Sequence, residues 1–277
     1  MLLYDAHNHL QDAALTPHLP AIVPALRGIG LSRAAVNGTR EADWDAVAAL
    51  AAAHPWVVPC YGLHPWYVKE RSPRWRERLA ECLAGGKAGV GEIGLDRWIA
   101  GFDLADQTAV FAWQLDLAAQ RGLPVSIHCL QAWGALEDVL RERRVPECGF
   151  LLHAYGGPAE MVDGFLRRGA YFSFSGHFLE ERKAGRREIF RTLPAERLLV
   201  ETDAPDMTPP PGFRPFALPD RPDGRPVNHP ANLLAVYEGL AALRGCPVET
   251  LAARVAENFA RLFGSPATLP APPLPGA

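Results

Sequence analysis

The chain has 277 residues, 48% of them apolar and 21% charged, with a formal net charge of -3. That length suits one large α/β barrel of ~250 residues, and the composition supplies ample material for a core. The charge balance leaves no global basic field, so tight non-specific binding to nucleic acid is not expected.

The opening MLLYDAHNHL carries a short apolar run and no basic segment, so no secretory leader is expected. Strand-like runs fall at residues 2–5, 33–37, 56–61, 88–93, 124–128, 149–153, 170–175 and 197–201. Helical patterns occupy residues 43–53, 74–84, 104–121, 133–143, 159–168, 186–192 and 230–244. In the third of these, Leu104, Thr108, Phe111, Leu115 and Ala118 recur at spacings of three and four, which predicts one buried face. Residues 208–226 hold many Pro and Gly and predict a long loop after the eighth strand. A last helix, 247–263, carries Leu251, Val255, Phe259 and Leu262 on one side. Strands alternating with helices predict a parallel sheet, and eight such units predict an α/β (β/α)8 TIM barrel with an extra C-terminal helix; a doubly wound open sheet is the alternative. Residues 1–264 are expected to form one domain, followed by a Pro-rich tail at 265–277.

No run of ~20 apolar residues is present, so no membrane span is expected. The cysteines (Cys60, Cys82, Cys129, Cys148 and Cys246) are odd in number and lack any C-x-x-C pair. This argues against a disulfide framework or a zinc knuckle and points to a reducing cytoplasm; a monomer is expected.

The candidate chemistry lies at the C-terminal ends of the predicted strands, the end at which barrel active sites sit. His7 and His9 follow strand one, and residues two apart on an extended backbone point the same way, so both imidazoles can reach one cation. Glu92 lies in the Gly-rich strand GVGEIGLD, where a buried carboxylate is costly unless paired or metal-bound. His128 and His153 end strands five and six, and Asp203 follows strand eight in LLVETDAP. Mixed imidazole and carboxylate donors suit Zn or Mn, with Mg less favoured as histidines accumulate. Six candidate ligands exceed the needs of one tetrahedral ion. They divide into two sites bridged by Glu92: His7, His9 and Asp203 hold one ion, and His128 and His153 the other. Asp203 can also take a proton from an attacking water, so Asp203 and Glu92 are the candidate catalytic residues. His64, in GLHPWY, is read as a substrate contact rather than a ligand. Asp96 is read as a partner to a ligand or a helix cap, Glu201 as a strand residue or outer partner, and His177 and His229 as rim residues.

Taken in order, DAHNHL, GLHPW, GEIGLD, LPVSIHC, HAYGG, LLVETDAP, the Asn228-His229-Pro230 stretch and ENFARLF resemble the TatD family of metal-dependent deoxyribonucleases, in the amidohydrolase superfamily. The resemblance spans residues 4–263. It implies a (β/α)8 barrel, one or two divalent ions, hydrolysis of DNA phosphodiesters in the manner of a 3′ to 5′ exonuclease, and the ligands His7, His9, Glu92, His128, His153 and Asp203. The chain departs from the family pattern at four places. Leu130 stands where an Arg is common, Arg97 where an aromatic is common, Ala154-Tyr155-Gly156-Gly157 replaces a Cys-Phe-Ser-Gly-like stretch, and His229 interrupts an Asn-Glu-Pro triplet. Arg97 is the candidate substitute for the missing cation. Other branches of the superfamily bridge two metals with a carboxylated Lys; Lys87 begins its strand, at the wrong end of the barrel. DNA or a small phosphodiester is the expected substrate. The alternatives are an amidase, esterase or lactonase at the same site, or a metal-binding protein without turnover.

Overall fold

The computed structural model describes residues 1–85 and 88–264, so Lys87 and the tail at 265–277 lie outside the described residues. Eight strands form one sheet in sequence order: β1 (Leu3–Asn8), β2 (Leu31–Asn37), β3 (Val57–Tyr61), β4 (Gly89–Asp96), β5 (Val125–Leu130), β6 (Phe150–Leu152), β7 (Ala170–Ser175) and β8 (Leu198–Glu201). Every neighbouring pair in that order runs parallel. The sheet curls until β8 meets β1. The Asp203 N–H donates to the His7 carbonyl at 2.9 Å and the His9 N–H to the Ala204 carbonyl at 2.8 Å. The fold is a TIM barrel, and its seam is closed by residues of the predicted site.

The helices are α1 (Leu19–Gly28), α2 (Glu41–Ala53), α3 (Trp75–Cys82), α4 (Leu104–Arg121), α5 (Trp133–Glu142), α6 (Val162–Arg167), α7 (Ala184–Thr192), α8 (Leu233–Arg244) and α9 (Val248–Phe263). The sequence reading assigns no helix to the segment that forms α1. Pro20 lies in the first turn, where a missing N–H costs nothing, and the structure accommodates Pro24 while Ile22 and Leu26 are buried one turn apart. Three strands run further at their C-terminal ends than their patterns suggest, and one of them, β5, continues past His128 to Leu130. His7 lies inside β1 rather than beyond it, and Asp96 ends β4 rather than starting a helix.

Helix α4 begins at Asp103, whose carboxylate accepts from the Asp106 N–H at 3.1 Å, and ends at Gly122 in the left-handed conformation. Its buried face includes Phe111, Leu115 and Ala118 as expected, but Leu104 and Thr108 are only half-buried. Gln107 and Gln114 are buried instead, and both serve the strand ends. The Gln107 amide oxygen accepts from the Asp96 N–H at 2.9 Å, and that of Gln114 from the Leu63 N–H at 2.8 Å. Helix α9 buries Leu251, Val255, Phe259 and Leu262, each worth ~1.5–3 kcal/mol when fully removed from water. Phe259 packs on Tyr4 with ring centres 5.1 Å apart. Tyr237 of α8 donates its hydroxyl to the Tyr4 carbonyl at 2.8 Å. The two C-terminal helices thus back the seam strand that carries His7. Among the described residues, no helix is long and apolar enough to cross a membrane.

Candidate metal centre

Parallel register sets the level of the site. Gly94 of β4 pairs with His128 of β5, and Ile127 of β5 with Leu152 of β6, so His128 and His153 emerge side by side above Glu92. The approach of β4 to β5 requires glycine. A Cβ on Gly94 would lie 1.9 Å from the His128 carbonyl oxygen, and its φ of +144° is one that L side chains rarely adopt. Asp203 is bent into the mouth by a φ of 51°, a left-handed conformation that Asp tolerates at some cost in strain. Its N–H is held by His7, and its carboxylate turns back toward His7 and His9.

Four donor atoms converge at the β1 side. His7 Nε2 and His9 Nε2 are 3.3 Å apart. Glu92 Oε2 lies 3.4 Å and 3.3 Å from them, and Asp203 Oδ1 3.6 Å and 3.4 Å. A tetrahedral ion with bonds of ~2.0–2.1 Å needs ligand-to-ligand edges of about 3.3–3.4 Å, so this spacing fits one divalent cation. The other Glu92 oxygen serves a second set. Oε1 lies 3.1 Å from His128 Nδ1 and 2.9 Å from His153 Nε2, and these nitrogens are 3.4 Å apart. Three protein donors leave room for water or substrate, the arrangement of catalytic rather than structural sites.

A histidine ligand must offer a bare lone pair, and its other ring nitrogen decides whether it can. His9 donates Nδ1–H to the Asn37 carbonyl at 2.7 Å, and His128 donates Nε2–H to Asp96 Oδ2 at 2.8 Å. His7 Nδ1 bonds Ser126 Oγ at 2.7 Å, and His153 Nδ1 faces Glu201 Oε1 at 3.6 Å. For His7, His9 and His128 the outward nitrogen is hydrogen-bonded and the inward one faces the cluster; buried His153 Nδ1 has no hydrogen-bond partner among the described residues. His64 is the opposite case. Its Nδ1 accepts the Trp66 N–H at 3.2 Å, so the neutral ring carries its proton on Nε2, 3.3 Å from Glu92 Oε1. Burial pushes its pKa down to about 4, which keeps the ring neutral. His64 therefore belongs to the cluster as a hydrogen-bond donor.

The charges follow from the packing. Burial works against an ionised Glu92, but His64, His153 and His7 outweigh it and hold the carboxyl well below its usual range. Burial likewise opposes ionisation of Asp203, yet the His9 hydrogen bond and the surrounding histidines hold it below 3.8. Glu201, beneath His153, is pushed up to about 7 by burial and bonds Ser173. Asp96 collects four donors. Besides His128, it accepts from Trp66 Nε1 at 2.7 Å and from the N–H groups of Trp98 and Ile99 at 2.6 Å and 3.1 Å.

The six expected ligands and His64 are thus brought together, and Arg97 is not. One residue beyond Asp96, it turns the other way on the extended backbone and stands exposed, its guanidinium carbon 5.9 Å from the centre of the Phe102 ring. His177 pairs with Glu180 at 3.2 Å and His229 stacks on Phe216, so neither joins the cluster. Ser126 and the Asn37 carbonyl carried no sequence signal, because each acts only through a histidine distant in the chain.

A TIM barrel whose mouth gathers four histidines and two carboxylates into two donor sets is the framework of a metal-dependent hydrolase. The family model described as TatD related DNase matches residues 4–264. The 3′-5′ ssDNA/RNA exonuclease TatD of Enterobacter lignolyticus is 32% identical over 271 residues, covering 95% of this chain and 99% of that protein. YcfH of Escherichia coli K12, named an uncharacterized metal-dependent hydrolase, is 34% identical over 208 residues, 75% of this chain and 74% of its own. The crystal structure of YjjV, a TatD homolog from Escherichia coli K12, superposes with a TM-score of 0.85 at 27% identity, covering 95% of this chain and 98% of that one. The chain belongs to the TatD-related DNase family and is a metal-dependent hydrolase of the TatD type.

Proposed function

We propose that the chain is a two-metal phosphodiesterase that removes nucleotides from the 3′ end of single-stranded DNA or RNA. The observation that carries this reading is the division of Glu92: one oxygen faces His7 and His9, which Asp203 also faces, and the other faces His128 and His153. The activity named for the Enterobacter lignolyticus relative supports the substrate class. Residues 1–264 are read as the catalytic domain, supported by one continuous hydrophobic core from Leu3 to Phe263. A reducing cytoplasm is the proposed setting, supported by five cysteines of which none is paired.

When bound, two divalent ions such as Zn, Mn or Mg lower the pKa of water and neutralise charge on the phosphoryl oxygens. The protein supplies the rest. Ionised Asp203, 8% exposed at the mouth, accepts the proton of the attacking water. Glu92 stays ionised between the two sets and fixes their separation. His64 directs Nε2–H into the cluster, where it can donate to a phosphoryl or departing oxygen. A second reading, hydrolysis of carboxylic esters or lactones, draws on Leu130, 38% exposed at the end of β5 where a phosphate-binding cation is expected.

The test is release of nucleotides from end-labelled single-stranded oligonucleotides with Mg, Mn, Zn or Co. Shortening from the 3′ end is expected, with Asp203→Ala slower by about 10²–10⁴-fold. No release from metal-loaded protein that hydrolyses a carboxylic ester would transfer the assignment to the second reading. Equal behaviour of wild type and Asp203→Ala in every assay would leave only a metal-binding role.

A further inference from the structure

We propose that Trp66 and Trp98 form a shelf on which a nucleobase of a single-stranded substrate stacks beside the second donor set; this rests on the nuclease reading above. The large hydrophobic side chains that stand exposed among the described residues are Met1, Leu2, Trp66, Trp98, Phe102 and Leu130. Apart from the first two, all follow β3 or β4 or, for Leu130, end β5, the strands that deliver His64, Glu92 and His128. Apolar exposure gathered at one sector of a catalytic rim marks a surface that meets a ligand.

The shelf is aimed and held. Trp66, 40% exposed, sits on the turn Pro65–Glu70 directly after His64. Its indole N–H is fixed by Asp96 Oδ2 at 2.7 Å, the oxygen that also accepts from His128 Nε2. Its ring centre lies 5.2 Å from that of His64 and 6.4 Å from that of His128. Trp98, 63% exposed, has its backbone N–H on Asp96 Oδ1 at 2.6 Å, and the two indoles are 6.4 Å apart with planes inclined by 33°. One buried carboxylate therefore orients a candidate ligand and both aromatic residues.

The flanking charges suit a phosphate chain. Arg97 stands exposed against Phe102, and the exposed Lys69 is anchored to the Gly101 carbonyl at 2.7 Å. Aromatic faces interleaved with basic side chains are how proteins hold single strands without reading sequence, because every base offers a π-face. This also gives Arg97 a place: beside the shelf, contacting a phosphate next to the scissile one.

The experiment measures binding of short phosphorothioate oligodeoxynucleotides to the purified full chain by quenching of tryptophan fluorescence. Base-bearing oligomers are compared with abasic oligomers of equal length. Wild type is expected to prefer the base-bearing strand by about tenfold. In Trp98→Ala that ratio falls toward one, and in Trp98→Phe most of it is retained. Equal affinity of wild type for both strands overturns the shelf, as does an equal loss for both strands in Trp98→Ala. Metal-dependent cleavage with a base preference untouched by Trp98→Ala overturns the shelf while the nuclease reading stands. Neither binding nor cleavage of either strand removes both.

Discussion

His128 donates its Nε2–H to Asp96 Oδ2 at 2.8 Å, which in the neutral ring leaves Nδ1 bare, 3.1 Å from Glu92 Oε1. The carboxylate fixes the ring's tautomer and raises its basicity, two properties a ligand needs. Asp96→Ala is expected to weaken metal binding at the second donor set by about 10–100-fold while the first set retains its affinity. Asp96→Asn should lose less, because its amide oxygen can still accept from His128. Calorimetric titration of metal-stripped protein with Zn or Mn resolves the two sets, and melting curves of the metal-free variants separate site loss from general destabilisation. Unchanged affinity in Asp96→Ala would remove this carboxylate from the metal centre.

Metal binding should release protons and strengthen as pH rises. Without metal, burial disfavours charge on His9, His153 and His128. Carboxylates nevertheless outweigh burial and lift all three above the ordinary 6.5: Asp203 and Glu92 for His9, Glu92 and Glu201 for His153, Asp96 and Glu92 for His128. Each proton on an inward nitrogen must leave before that nitrogen can ligate. Affinity is therefore expected to climb with pH through 6.5 and beyond, levelling once these histidines are neutral. His7 behaves differently: burial holds it at about 4, so it is already neutral across that window. Titrations near pH 7 in two buffers of different ionisation enthalpy should reveal net proton release. Buffer-independent heats and a flat affinity would contradict the sign.

Legibility of the sequence followed the range of the interactions. Eight of the chain's elements announce themselves as helical periodicity and eight as short apolar runs, and the ligand residues stand out because their chemistry is rare at strand ends. His64 was readable as a contact residue, yet its reason is not in the sequence: only the Trp66 N–H on Nδ1 makes its inward nitrogen a donor. Helix α1 was hidden by Pro20 and Pro24, whose effect depends on position within a turn. That Arg97 stands outside the metal cluster was not legible, because its side follows from where β4 ends, and strand ends are the least legible boundaries. Gln107 and Gln114 are polar residues that burial tolerates only because Asp96 and Leu63 need partners, a fact of tertiary packing.

The seam between β1 and β8 offers the last prediction. Asp5 is buried two residues before His7, and its carboxylate takes four donors. Oδ1 accepts from the N–H groups of His7 at 3.2 Å and Thr202 at 3.0 Å; Oδ2 accepts from Asn8 Nδ2 at 3.1 Å and Thr202 Oγ1 at 2.6 Å. These bonds tie β8 to β1 just below the point where Asp203 and His7 share a backbone hydrogen bond. Asp5→Ala orphans buried donors that cost roughly 1–3 kcal/mol each, so a loss of about 3 kcal/mol or more is expected. In a chain of this size that lowers Tm by roughly 6–12 °C. Asp5→Asn keeps one acceptor oxygen, and the Thr202 hydroxyl can turn to accept from the new amide, so the loss should be smaller. Because the seam positions His7 and Asp203, Asp5→Ala should also weaken metal binding at the first donor set more than at the second, the reverse of Asp96→Ala. Thermal melts of the metal-free proteins give the stability, and paired titrations give the metal affinities. A Tm unchanged in Asp5→Ala, or equal losses at both sets, would mean that the backbone bonds alone hold the barrel closed.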